Sequence, residues 1–293
     1  MWRVDRPEST AKDTFRLCIS RVRVADLKKR LQESEGQVVA AGKDYVEAAE
    51  SATLHDLDVN DFELPKVKTS EMVTVYSGRM ARKKSPGRVV YDALILAARD
   101  GCCPLCGQRT VSTLDHHLPK SLYPALAVNP LNLVPACSDC NKLKLDVVPS
   151  RAEDQTLHPY FDDVEGQAWL RARVVETSPA ALQFFVDTAS DMDEVLARRV
   201  RAHFKKLRLS FLYASQAAQE LSNIRFRLLD IYASGGATGG QQVRQHLAAD
   251  AESRRRANVN SWQTAMYSAL ASSSWYCNGD NRFQVQVEQR YVQ

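Results

Sequence analysis

The stretch that decides the fold runs from Cys103 to Asp146 and reads CPLCGQRTVSTLDHHLPKSLYPALAVNPLNLVPACSDCNKLKLD. It contains two Cys-x-x-Cys pairs, formed by Cys103, Cys106, Cys137 and Cys140. Paired cysteines of this kind build tetrahedral zinc sites, so the four thiolates predict structural zinc. Cys102 is an alternative first ligand in a C-x-x-x-C arrangement, although the geometry of a knuckle favours Cys103.

The residues between the cysteine pairs, together with the asparagine directly after the second pair, are those that metal-assisted hydrolysis of a phosphodiester needs. Asp115 and His116 are adjacent, and asparagines stand at positions 132 and 141. Oxygen ligands suit a magnesium ion, and an imidazole that titrates near neutral pH suits a general base. An inert zinc ribbon needs none of these residues and spaces its pairs by only about 15–20 residues. The sequence therefore favours a nuclease, with the inert ribbon as the alternative.

The run D-H-x-x-P … N-L-x-P-x-C-x-x-C-N-x-x-K, from Asp115 to Lys144, resembles the HNH endonuclease motif in its zinc-bound form. The resemblance covers residues 90–148, about a fifth of the chain. It implies a ββα-metal finger, in which a β-hairpin carries the Asp-His pair and a helix opens near the last cysteine pair. The expected fold class is α+β, with this finger and its four-Cys zinc site embedded between mostly α-helical regions.

The resemblance also implies a role for each site residue. Asp115 and Asn141 would hold a catalytic Mg²⁺ or Mn²⁺ ion, and His116 would be the general base. Asn132 would pin the loop and orient the backbone of His116. Some relatives use the first of two adjacent histidines as a metal ligand, which would make His117 the base. Counting back from the proline of D-H-x-x-P favours His116, and both alternatives stay open at this point.

Charge is unevenly distributed along the chain. Residues 1–80 carry 13 Lys and Arg against 14 Asp and Glu, whereas residues 81–150 carry nine against five. A protein that binds nucleic acid gains from such a positive excess through release of counterions. The predicted phosphate contacts to DNA are Arg82, Lys83, Lys84, Lys120, Lys142 and Lys144.

The composition predicts a cytoplasmic protein. Seven cysteines, four of them assigned to a metal, do not indicate a disulfide framework. No stretch approaches the roughly 18 apolar residues of a membrane span, and the N-terminus does not resemble a signal peptide. No membrane partner is therefore expected.

The pattern predicts three regions along the chain. Residues 1–80 would form a helical region that includes an acidic linker at 52–70. Residues 81–150 would form the nuclease domain. Residues 151–293 would be mostly helical with a short β-hairpin. One helix is predicted through about Ile19, with Ser9 or Thr10 as its cap. Two others are predicted over 24–49 and from a Ser85-Pro86 start to about Arg99.

The C-terminal region is predicted to contain one long helix from Asp193 to about Ile231. Its buried stripe would comprise Leu196, Val200, Phe204, Leu207, Phe211 and Ala214. A basic stripe on another face could follow a DNA backbone or an acidic partner, and it comprises Arg198, Arg201, Lys205 and Arg208. Two further helices are expected near 241–249 and 261–271, and the alternation at 284–287 predicts a strand.

These observations predict a metal-dependent HNH endonuclease that hydrolyses phosphodiester bonds in DNA. The layout is loosely similar to HNH subunits of bacterial phage-defence systems, which implies a role in defence and an ATPase or other defence-system subunit as partner. The alternative is a catalytically silent nucleic-acid-binding or adaptor subunit that retains a zinc-stabilised finger. The sequence leaves open the choice between DNA and RNA, the cleavage pattern, the trigger and the oligomeric state.

Overall fold

A computed structural model describes residues 1–145 and 148–279, and the strand expected at 284–287 lies outside them. The chain divides into two compact units, Met1–Val164 and Glu165–Gln293. A three-part division at residues 80 and 150 stays a prediction. Within the described ranges, no helix has both the length and the apolar character that crossing a membrane requires.

The first unit is mostly helical and contains one small antiparallel sheet. Its elements are α1 (Ala11–Ile19), α2 (Ala25–Glu33), α3 (Glu35–Glu50), α4 (Thr69–Val75), α5 (Arg88–Leu96), β1 (Thr113–His116), β2 (Leu133–Ala136) and α6 (Ser138–Lys144). Of the two predicted caps, Ser9 and Thr10, the structure has Thr10, whose hydroxyl accepts a hydrogen bond from the Asp13 N–H at 3.1 Å.

Two predictions for the N-terminal region are wrong. The single helix expected over 24–49 is interrupted at Ser34, which is wholly buried and donates its hydroxyl to the Arg30 carbonyl at 2.9 Å. The acidic linker expected over 52–70 instead forms two short 3₁₀ turns. Phe62 and Val67 from this segment are buried in the core, so the segment is part of the packed unit.

Helix α5 begins two residues later than the Ser85-Pro86 signal predicts. Its N-cap is Gly87, whose N–H donates to the Arg79 carbonyl at 2.9 Å. A Cβ atom added at Gly87 would lie 2.5 Å from the sulfur of Cys18 in α1. The chain therefore passes too close to α1 at this point for any residue but glycine.

The β1–β2 pair positions the Asp-His dipeptide. In the antiparallel register Asp115 lies opposite Val134, and His116 lies opposite Leu133. A long loop, residues 117–132, joins the two strands, and α6 follows β2 after one residue and packs on β1. Leu133 is wholly buried in the core that the helices of this unit form. The strand pair therefore rests on the helical core.

The second unit combines a β-hairpin with five helices in its described part. Its elements are β3 (Leu170–Val175), β4 (Ala181–Val186), α7 (Glu194–Lys206), α8 (Leu209–Ser234), α9 (Gly239–Ala257), α10 (Trp262–Ser272) and α11 (Ser274–Cys277). The antiparallel pairing of β3 with β4 confirms the predicted hairpin. Together the two units confirm a mixed fold of helices and small sheets.

The prediction of a single helix over 193–231 is also wrong. Helices α7 and α8 are separate, because the backbone at Arg208 adopts a left-handed conformation with φ of 51°. Val200 and Leu207 are buried as predicted, but Phe211 is 79% exposed. The break changes the helix direction, so the predicted buried stripe does not continue into α8.

The side chain of Asn260 fixes the start of β3. Its Oδ1 accepts hydrogen bonds from the N–H groups of Trp169 at 2.8 Å and Leu170 at 3.2 Å. Its Nδ2 donates to the Gln167 carbonyl at 2.8 Å. Asn260 is only 4% exposed, so water cannot readily replace these bonds.

We predict that Asn260→Ala lowers the free energy of unfolding by at least about 2 kcal/mol, because buried backbone groups lose their partners. Urea denaturation measures the change. Asn223→Ala, on an exposed position of α8, is the control and should change stability by less than about 0.5 kcal/mol. Equal stability of the two variants would contradict the assignment.

Candidate metal centre and the buried Asp-His pair

The four predicted zinc ligands come together in the first unit. The sulfur atoms of Cys103, Cys106, Cys137 and Cys140 all lie within 4.8 Å of one another, and all four residues are buried. A tetrahedral zinc ion about 2.3 Å from each sulfur requires separations of about 3.8 Å, so the cluster could hold a metal ion such as zinc. Within residues 1–145 and 148–279, no other group of three or more His, Cys, Asp or Glu donors is so arranged.

Local backbone geometry forms each half of this cluster. In the first half, Gly107 has a positive φ of 62° and donates its N–H to the Cys103 carbonyl at 2.7 Å. In the second half, Cys137 caps α6, and its sulfur accepts the N–H of Cys140 at 3.4 Å. Cys102 is half-buried and is not part of the cluster, which confirms Cys103 as the residue of the first pair.

Asp115 lies in a buried ion pair. Its carboxylate Oδ2 is 3.2 Å from the ammonium Nζ of Lys144, and the two side chains are 6% and 7% exposed. Lys144 also donates to the backbone carbonyl of His116 at 2.7 Å. The sequence predicts Lys144 as a phosphate contact on the surface. In the structure its side chain is buried against the Asp-His pair instead. These two contacts link the end of α6 to β1.

His116 is held in one tautomer. Its Nε2 lies 2.9 Å from the carbonyl oxygen of Ala127, which can only accept, so Nε2 carries the hydrogen and Nδ1 carries the lone pair. Tyr76 packs edge-on against the ring, with centroids 4.4 Å apart. Burial is the main cause that lowers the pKa of His116 to about 3, with a further contribution from Lys120. The imidazole is therefore neutral near pH 7.

His117 lies in a different environment from His116. His117 directly follows the last residue of β1, and its ring packs against that of His158 at a tilt of 34°, with centroids 4.2 Å apart. His158 is held in turn by the hydroxyl of Tyr45 at 2.9 Å and the N–H of Tyr160 at 3.2 Å. Sequence reasoning missed these contacts, because no spacing signal links Tyr45 to a histidine 113 residues away.

Asn132 ties the loop to the strand pair. Its Oδ1 accepts the Leu118 N–H at 2.7 Å, and its Nδ2 donates to the Leu118 carbonyl at 3.0 Å. The side chain is wholly buried, and its backbone carbonyl accepts the N–H of His117 at 2.8 Å. These contacts fix the loop that supplies the Ala127 carbonyl to His116.

The remaining predicted site residues lie at or near the surface. Asn141 is half-buried within α6, which begins three residues before it. Lys120 is half-buried, with its ammonium 5.6 Å from the ring centroid of Tyr76. The exposed basic residues are Arg82, Lys83, Lys84 and Lys142.

Comparison with known proteins places the chain in a family. It is 30% identical over 227 residues to protein ea31 of Escherichia phage lambda, and the match covers 74% of this chain and 75% of that protein. The chain belongs to the ea31 family. No protein-family model and no solved structure matches it.

We predict that Cys103→Ser abolishes stoichiometric metal binding by this ea31-family protein, because one of four sulfur ligands is lost. Elemental analysis of the purified protein measures the zinc content, and thermal unfolding measures the accompanying loss of stability. Cys102→Ser is the matched control and should retain one zinc ion per chain. Full zinc occupancy in Cys103→Ser would show that this sulfur is not a ligand.

We predict that Lys144→Met lowers the free energy of unfolding by about 3 kcal/mol, because it leaves the Asp115 carboxylate buried without its ammonium partner. Lys142→Met, two residues away and exposed, should change stability by less than about 0.5 kcal/mol. Urea denaturation compares the two variants. Similar small effects from both would mean that Lys144 is a surface residue in solution.

Proposed function

We propose that the protein is a metal-dependent endonuclease of the HNH type that hydrolyses phosphodiester bonds in DNA. The observation that carries the proposal is the tautomer of His116. Its Nε2–H is bound by the Ala127 carbonyl, so its basic nitrogen is Nδ1, in the residue next to the Asp115 carboxylate. A general base must be neutral to accept a proton, and burial keeps His116 neutral, although the same burial lowers its pKa to about 3 and makes it a weaker base than an imidazole that titrates near neutral pH.

The order of elements around this pair supports the same proposal. One Cys-x-x-Cys pair precedes β1, and the other stands at the start of α6, with Cys137 between β2 and α6 and Cys140 in the first turn of the helix. Strand, long loop, strand and helix follow in the order that the HNH resemblance implies for a ββα-metal finger. The bound metal would hold the two ends of this segment together.

The donor chemistry at Asp115 fits a catalytic Mg²⁺ or Mn²⁺ ion. The Asp115 carboxylate and the Asn141 amide oxygen would hold it, and such an ion supplies Lewis-acid stabilisation of charge on phosphoryl and leaving oxygens when bound. Lys144 compensates part of the carboxylate charge at 3.2 Å. We therefore expect this ion to bind weakly compared with zinc at the four thiolates.

The protein's own residues would carry out the remaining steps. Nδ1 of His116 accepts the proton from the attacking water. Asn132 and the Ala127 carbonyl keep the ring in position, so that little reorganisation is needed when the proton moves. The exposed basic residues at 82–84 and Lys142 would contact phosphates on either side of the cleaved bond.

The runner-up function is a catalytically silent nucleic-acid-binding or adaptor subunit. The ion pair of Lys144 with Asp115 favours it, because an ammonium there opposes binding of a cation. The defence setting and the ATPase or other partner stay predictions from the layout of the sequence. Cleavage of DNA by the purified chain alone would remove the need for an activating partner.

We predict that the wild-type protein cleaves supercoiled plasmid in the presence of Mg²⁺ or Mn²⁺, and that His116→Ala slows cleavage by about 10²-fold or more. Gel electrophoresis over time gives the rates. His117→Ala is the matched control and should retain activity, because its ring lies against His158. Zinc content and melting temperature must be unchanged in each variant before rates are compared.

The outcomes separate the alternatives. Loss of activity in His117→Ala with retention in His116→Ala would assign the base to His117. Equal rates in all three proteins would indicate a contaminating nuclease. DNA binding without cleavage by any zinc-loaded protein would favour the silent subunit.

A further inference from the structure

A groove in the second unit is lined by aromatic rings and by cations. It has a volume of about 1020 Å³ and lies between β4 and the helices α7 and α8. Its aromatic residues are Phe184, Phe185, Phe204 and Phe211, and its charged residues are Arg201, Lys205 and Arg208. Among its lining residues in the described part of the chain, none is acidic. The groove therefore favours a ligand that carries negative charge.

Two of the four rings in this groove have faces that are open to a ligand. Phe184 and Phe204 each pack against Tyr213, with ring centroids 5.7 and 6.2 Å apart. In contrast, Phe211 is 79% exposed and Phe185 is 37% exposed. Neither of these two rings forms an aromatic contact with another residue of the ranges that the structure describes. Large apolar rings left in water beside a groove indicate a surface that a ligand covers.

The cations of the groove are available to the same ligand. Arg201 and Lys205 are exposed and lie one turn apart on α7, about 6 Å along the helix. Arg208 is also exposed and follows at the break between α7 and α8. Within residues 1–145 and 148–279, none of the three forms a salt bridge, and Arg201 donates to the neutral hydroxyl of Thr188 at 2.7 Å. Such a row of cations can neutralise successive phosphates of one strand.

We propose that this groove binds an unpaired strand of DNA, with phosphates at the three cations and bases stacked on Phe185 and Phe211. A single strand matches both features of the groove, because it combines repeated negative charge with planar bases. In a duplex the bases are paired and stacked on one another, so only phosphates would reach the groove. The choice of DNA rests on the proposed function, and the second unit would then hold part of the substrate.

An acidic peptide strand fits the groove less well. The Asp187 N–H donates to the Trp169 carbonyl at 2.9 Å, and the bonds of an antiparallel pair alternate, so the Phe184 carbonyl points away from β3. Ser210 already donates its hydroxyl to that carbonyl at 3.0 Å. A peptide that extends the sheet would need this edge of β4 to be open. The groove therefore favours a ligand that binds through side chains, as a nucleic acid strand does.

Fluorescence anisotropy on the full chain, without added Mg²⁺, tests the proposal with a labelled single-stranded DNA of about 20 nucleotides. Phe211→Ala should weaken binding at least about fivefold, because one base loses the ring on which it stacks. Phe226→Ala is the matched control and should leave the affinity unchanged. Phe226 is exposed about 22 Å farther along α8, and the Arg225 guanidinium already covers its ring at 4.3 Å.

The salt dependence of binding tests the cations. Lys205→Gln should reduce the slope of log K against log salt by about 0.7, the value for one phosphate contact on a single strand. Arg227→Gln removes an exposed charge of the same sign outside the groove and should leave the slope unchanged. All four substituted side chains are exposed, so melting temperatures should equal that of the wild type.

The outcomes separate this inference from its alternatives. Wild-type affinity in Phe211→Ala together with a wild-type salt slope in Lys205→Gln would overturn the proposal and favour an acidic protein as the ligand. Equal weakening of single-stranded and duplex DNA by Phe211→Ala would also overturn it, because a ring stacks only on an unpaired base.

Plasmid cleavage distinguishes failure of this inference from failure of the proposed function. Cleavage by a protein whose affinity for DNA neither groove variant changes would contradict the groove alone. Binding of single-stranded DNA that depends on Phe211 and Lys205, without cleavage, would support the groove and contradict the nuclease.

Discussion

The central constraint on the first unit is that two cysteine pairs, separated by about thirty residues of sequence, meet in one buried cluster. The strand pair β1–β2 has only four residues in each strand, which is too short to be stable alone in water. A metal ion at the four thiolates would link the chain before β1 to the chain after β2. The buried side of the strand pair then completes the helical core through residues such as Leu133.

Both backbone carbonyls and neighbouring side chains hold the Asp-His pair in place. The Ala127 carbonyl fixes the ring of His116, and the backbone carbonyl of His116 receives the ammonium of Lys144. Asn132 in turn holds the loop that carries the Ala127 carbonyl. A substitution that removes one of these contacts is therefore expected to shift the imidazole of His116. The fold of the first unit thus sets the position of both side chains.

The sequence predicts features that depend on local spacing and misses those that depend on tertiary packing. The four cysteines, the hairpin of the second unit and the Thr10 cap follow from motifs of a few residues. The helix breaks at Ser34 and Arg208 cannot be predicted from such motifs, because the periodicity of apolar residues continues across both positions. The burial of Lys144 and the contacts of His116 with Tyr76 are also unpredictable, because each joins segments that only the folded chain brings together.

The order of these parts along the chain has a consequence for synthesis. A ribosome releases Asp115 and His116 before it releases Cys137, Cys140 and Lys144. Until the later residues emerge, the nascent chain lacks half of the sulfur ligands and the ammonium that anchors β1. The Asp-His pair therefore cannot be set in place until the last turn of α6 has emerged from the ribosome.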